Sequence, residues 1–203
     1  MNNLRFWILF ALMAAALAQP LAAAKKPLEN IPLVWKPTSS LAEYGAIDLT
    51  GTSGVKVEVR ELADGRENPS LIGENRDKED KGIVLSVTTA EPVAPFVTEN
   101  LMRLLGGAGL DAVASGGDVV VSGKVKRFFV LETSTYQGEV TLAIEARTPA
   151  GEVIWSGLAA GTAKRFGRTY KSENYYETLS DSLLDAAAKL LQNEAFIKAL
   201  SRR

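Results

Sequence analysis

A chain of 203 residues with 46% hydrophobic and 23% charged residues has the composition of one globular domain, with little room for a second. Its formal net charge of -1 gives no electrostatic reason to favour nucleic acid or an anionic membrane surface. Cys and His are both absent, so disulfides, Ser-His-Asp and Cys-His catalysis and the preferred zinc ligands are excluded; carboxylate-only chemistry and carboxylate calcium sites stay open.

The first 24 residues stand apart. Met1 to Arg5 is a short positive segment, Phe6 to Ala18 is apolar, and small residues lead to Ala22-Ala23-Ala24 before Lys25-Lys26-Pro27. This layout predicts a secretory signal peptide over 1–24, cut after Ala24, with Ala18 as a second candidate position. The expected location is the periplasm, with membrane association only if the signal is retained. No cysteine is available for lipid attachment at the signal boundary.

Residues 25–54 are rich in Pro, Ser, Thr and Gly and show no sustained period, so they are expected to form an extended leader. Trp35 could anchor this leader to a partner; the favoured expectation is that it packs on its own domain. Val55 to Leu62 alternates cleanly and predicts a strand. Turn signals follow at Asp64-Gly65 and Asn68-Pro69. Glu74 to Lys81 is almost wholly charged and is expected to be a solvated loop. Its acids Glu74, Asp77, Glu79 and Asp80 invite a calcium reading, but interleaved cations and the lack of an EF-hand spacing weaken it, and no metal or cofactor is expected. Ile83 to Val87 reads as a short strand.

Between Pro92 and Gly107, apolar residues recur every three or four positions, which predicts a helix with one buried face. Three strands come next. Asp118 to Glu132 places Val119, Val121 and Val125 inward; Gln137 to Arg147 places Val140, Leu142, Ile144 and Ala146 inward; the third runs from Glu152 to Ala163 after the turn Thr148-Pro-Ala-Gly151. The closing helix is expected to be capped by Asn174 with Glu177 reaching back, and to bury Tyr176, Leu179, Leu183, Ala187, Leu190 and Ile197, with a break near Asn193.

These elements predict an α+β fold over 55–203: a two-layer sandwich whose mixed sheet follows the order strand, helix, three-strand meander, helix, with two helices on one face. The first strand should pair in parallel with the second across the helical crossover. Lys124, Lys126, Thr141, Glu145 and Arg147 should occupy the opposite, polar face.

Val57-Glu-Val-Arg-Glu-Leu-Ala-Asp-Gly-Arg66, then Leu71-Ile-Gly73 and the order of elements that follows, resembles the YajG-like family of small bacterial envelope lipoproteins. The resemblance implies an envelope location and this fold; it implies no reaction, and the missing cysteine departs from the family's lipidation pattern.

Two groups are candidates for binding a ligand or partner. Asp64 and Arg66 stand at the end of the first strand, where they could equally order their own turn. Lys164, Arg165 and Arg168 belong to a basic stretch that could meet an anion or acidic partner, or simply form a solvated loop. Phe128, Phe129 and Tyr136 beside Lys126 and Arg127 resemble a single-strand nucleic-acid surface, but the balanced charge argues against nucleic acid as a partner. No catalytic residues are expected; an enzyme would have to pair carboxylates, with Asp64, Glu132 and Glu139 as candidates. The expected function is a non-catalytic exported module that binds an envelope protein or assists an envelope assembly. The alternative is a carrier for a lipid or small amphiphile, which requires an apolar cavity between helices and sheet.

Overall fold

The computed structural model describes residues 25–167 and 169–201; the predicted signal peptide and Arg168 lie outside them. The meander forms as its alternation requires. Strands β6 (Val119–Glu132), β7 (Thr135–Arg147) and β8 (Val153–Phe166) are antiparallel neighbours. A bulge between Val125 and Arg127 shifts the phase of β6, so that Phe128, Val130 and Glu132 continue the inward row begun by Val119, Val121 and Val125. The turn before β8 closes with the Gly151 amide on the Thr148 carbonyl at 2.9 Å, and Gly151 takes the left-handed φ of 94° that such a turn needs.

The other edge of β6 is shared by three short strands in succession, all parallel to it. They are β1 (Lys56–Val59), β2 (Ala63–Asp64) and β3 (Leu71–Lys78). Strand β4 (Ile83–Thr88) flanks β3 antiparallel, and β5 (Asp111–Val113) flanks β1 in parallel, completing an eight-stranded mixed sheet. The parallel pairing of the first strand with the start of the meander thus agrees with the sequence reading. The charged segment does not behave as expected: 71–78 is a strand rather than a solvated loop. Its backbone pairs with β4 and with β6 while Arg76, Asp77 and Lys78 project into water, so side-chain polarity concealed a paired backbone.

Helix α1 (Val93–Gly107) buries Val97, Leu101 and Leu105 against the sheet and also packs on helix α2 (Ser172–Leu191), which covers β7 and β8. Both therefore lie on the same face. Asn193 ends α2 and caps α3 (Glu194–Leu200), its Oδ1 accepting from the Phe196 amide at 3.0 Å. Two details of the closing helix differ from expectation. It begins three residues earlier, after Lys171, and Asn174 donates instead to the Thr169 carbonyl (2.8 Å) and the Tyr136 hydroxyl (3.2 Å). Glu177 pairs with Lys36 (3.0 Å) and Arg165 (2.5 Å), so it has no part in a capping box. Tyr175, not Tyr176, is the fully buried ring.

Helix α2 can approach the sheet closely because Gly138 and Gly161 lie beneath it. A Cβ at Gly161 would overlap the Ser182 carbonyl and the Ala186 amide, and one at Gly138 would overlap the Ser182 hydroxyl. The outer side of α2 is covered in turn by the leader. The Thr38 amide and hydroxyl donate to Asp181 at 2.6 and 2.5 Å, and the Lys36 amide donates to Ser180 Oγ at 2.9 Å. Ile31 is buried, and Leu28 forms a bridge to Val87. Residues 25–54 thus lie on their own domain, and the helix they cover is apolar or satisfied on two sides.

Candidate functional site

With both helices on one face, the other face of the sheet is left open, and its side chains can be read row by row from the strand register. One row runs Ala63, Lys124, Ala143, Leu158 across β2, β6, β7 and β8. The next runs Ser122, Glu145, Ser156. Two alanines between longer neighbours make a hollow of about 660 Å3, rimmed by Glu61, Lys124, Glu145, Arg147 and Leu158. Leu158 is 71% exposed, on the outward phase of a strand whose inward phase carries Trp155 and Ala159. Arg147 is held in place: its Nη2 and Nε donate to Glu145 Oε2 at 2.5 and 3.1 Å, and its Nη1 donates to the Gly151 carbonyl at 2.9 Å. The rim therefore offers an exposed lysine, with no ion pair to it among the described residues, and an apolar side chain beside a fixed ion pair.

The residues singled out in the sequence are placed elsewhere and do not converge. Arg66 donates to both oxygens of Asp64 (2.9 and 2.7 Å) and to the carbonyls of Leu71 (3.2 Å) and Pro69 (2.6 Å), with its side chain only 6% exposed. These bonds hold the Asp64 carboxyl below the usual carboxylate range. The geometry is that of a staple closing the 64–71 loop. Lys164 and Arg165 fall on opposite phases of β8. Lys164 is exposed, whereas Arg165 turns inward to Glu177; Arg168 lies outside the described residues.

Nor are the three candidate carboxylates brought together. Glu132 is on the inward face and only 3% exposed, accepting from the Tyr175 hydroxyl at 2.7 Å. Glu139 is on the open face, paired with Arg127 at 3.0 Å, and Asp64 is held by Arg66. The acids of the charged strand are likewise met by cations: Glu74 and Glu79 by Arg76, and Asp77 by Lys25. Among the described residues no cluster of three or more His, Cys, Asp or Glu is arranged to hold a metal ion. Phe128 is buried and Phe129 lies under the Arg127 guanidinium at 4.3 Å, so this pair does not form a stacking platform.

Sequence reasoning named Lys124, Glu145 and Arg147 as members of the open face but missed the hollow. The signal was present: Leu158 is an apolar residue on the polar phase of an alternating strand.

No family model matches the sequence, and no curated protein does. The fold itself has solved counterparts. Protein XCC0632 from Xanthomonas campestris, of the DUF330 family, superposes with a TM-score of 0.52 at 14% identity, over 86% of this chain and 94% of that one. A candidate lipoprotein from Caulobacter crescentus CB15 (TM-score 0.44, 9% identity, 54% of this chain and 84% of that one) is more distant. So is the dodecameric PelC from Paraburkholderia phytofirmans (TM-score 0.40, 20% identity, 77% of this chain and 95% of that one). The likeness to XCC0632 establishes a shared fold.

Proposed function

We propose that the protein is a non-catalytic, exported module of the bacterial cell envelope that binds an envelope protein through the open face of its sheet. The observation that carries this reading is the hollow over Ala63 and Ala143, where exposed Leu158 and Lys124 flank a floor of small side chains. An apolar side chain of a partner would bury against Leu158 while an acidic neighbour meets Lys124, the usual pattern of an apolar centre with a polar rim. The predicted signal peptide supports the envelope location, and the resemblance to YajG-like proteins supports the same address. The close contact of α2 with Gly138 and Gly161 leaves no space there for a lipid, which speaks against the carrier reading.

The test is a photo-crosslinking residue at position 158 in the intact envelope, with a matched probe at exposed Glu99 on α1 as control. One specific protein adduct from position 158, absent from position 99 and lost when Lys124→Glu reverses the rim charge, is the expected result. Identical adduct patterns from the two positions would overturn the proposal.

A further inference from the structure

Glu132 presents a separate problem in electrostatics. It is 3% exposed, its carboxylate accepts from the Tyr175 hydroxyl, and no ion pair reaches it from the described residues. A carboxylate taken out of water in this way requires a compact cation or several donors. Its surroundings suit a cation. The rings of Tyr136 and Tyr170 stand edge-on to Tyr175 at 5.3 and 6.4 Å. A pocket of about 350 Å3 opens onto Glu132 and is lined by Lys25, Asp77, Thr133, Ser134 and Gly167. At the same level of the sheet, Asn75 is opposite Glu132 across β3 and β6, and its Nδ2 is buried with no acceptor among the described residues. Among the described residues the cation lining this pocket is the Lys25 side chain, which is directed to Asp77 rather than paired with Glu132, and Asn75 Nδ2 has no acceptor, so a second cation and an acceptor would fit here. A peptide amino terminus supplies both, as an ammonium and its first carbonyl.

The chain brings such a terminus to this place. The predicted cut after Ala24 makes Lys25 the first residue of the mature protein, and Lys25 lines the pocket. It is tethered there. Its Nζ lies 3.8 Å from Asp77 and 5.5 Å from the centre of the Tyr170 ring. Three residues on, the Leu28 amide donates to the Tyr170 hydroxyl at 3.1 Å and its carbonyl accepts from the Thr88 amide at 2.9 Å.

We infer that the Glu132 pocket is the seat of the protein's own processed amino terminus: cleavage frees the Lys25 α-ammonium, which docks beside the Glu132 carboxylate against the tyrosine rings. The inference rests on the cleavage position read from the sequence, and processing thereby becomes a step that completes the fold. The groups facing the seat are Glu132 from β6, Asp77 from β3, the Lys25 side chain, and the hydroxyls of Tyr136, Tyr170 and Tyr175; Arg168 lies outside the described residues. A carboxylate partner raises the folded-state pKa of an ammonium, so the stabilisation is complete below the unfolded value of about 8 and is lost as pH rises through the raised value.

The test uses a chain released from a fusion tag to begin at Lys25, so it does not depend on cleavage in the cell; intact mass of the exported protein checks the cleavage position separately. NMR of the terminal amine should show titration about one pH unit or more above the ordinary range. A chain begun at Ala23 should lose that shift and melt lower at pH 6, with the difference closing at alkaline pH. Glu132→Gln should return the amine to its ordinary range, while Lys25→Gln should leave the shift in place. An ordinary titration in the Lys25 chain, or a shift that disappears with Lys25→Gln, would overturn the inference. The titration of the unmutated chain decides the matter even if Glu132→Gln fails to fold.

Discussion

Arg66 shows how a residue that looks like a binding group can be occupied by its own loop. Four hydrogen bonds from one guanidinium join Asp64 to the carbonyls of Pro69 and Leu71. Truncation would leave those acceptors and a partly buried carboxylate without their donor. Arg66→Ala should therefore cost about 2 kcal/mol in urea unfolding at neutral pH, and Arg66→Lys should restore little, since an ammonium cannot reproduce the planar fork. The sign of the pH dependence follows from the depressed Asp64 carboxyl. Its contribution is present above the unfolded value of about 3.9 and is lost as pH falls through the lower folded value, so the gap between wild type and Arg66→Ala should narrow in acid. The Asp-x-Arg spacing was legible as a turn pair, but only the folded loop shows that the pair is already engaged.

At the scale of elements, the sheet–helix contact depends on two glycines. Gly161→Ala would force a methyl into the backbone of α2 at Ser182 and Ala186, where neither side can yield cheaply. We expect a loss of about 3 kcal/mol, read as a lower denaturant midpoint with an unchanged m-value; Gly106→Ala, in α1 with open space at its Cβ position, should cost much less. The long strands β6, β7 and β8 were readable because each has one core face and neighbours close in sequence, so periodicity and pairing agree. Strand β3 was hidden because its partners are backbone groups of β4 and β6 while Arg76, Asp77 and Lys78 point to solvent. The start of α2 was misplaced for a related reason. Glu177, three residues after Asn174, fits a capping box by spacing, yet it is engaged by Lys36 and Arg165, which approach from the leader and from β8. Long-range partners of this kind leave no local pattern.

At the scale of the molecule, the leader acts as a partial third layer. Asp181 is nearly buried in α2 and accepts the amide and hydroxyl of Thr38. Asp181→Ala should release residues around 38–45 without unfolding the sheet: limited proteolysis should cut there several-fold faster while the global melting transition shifts only modestly. Simultaneous loss of the leader and the sheet would show that the two are one cooperative unit.

The three short strands along one edge of β6 have a consequence for how the chain comes into being. Val57, Ala63 and Gly73 pair in parallel with Val119, Lys124 and Val130, all of which follow much later in the chain. A polypeptide emerging from its amino end presents β1, β2 and β3 before the strand that receives them exists, and contacts so distant in sequence carry a large loop-closure cost. The meander, by contrast, pairs with itself as soon as it is made. Assembly should therefore begin at the carboxyl half, with the amino half laid down afterwards along a finished strand. Until β6 has emerged, the Val-rich first strand can pair only with the short β5, itself late in the chain, and a chaperone has that interval in which to hold it.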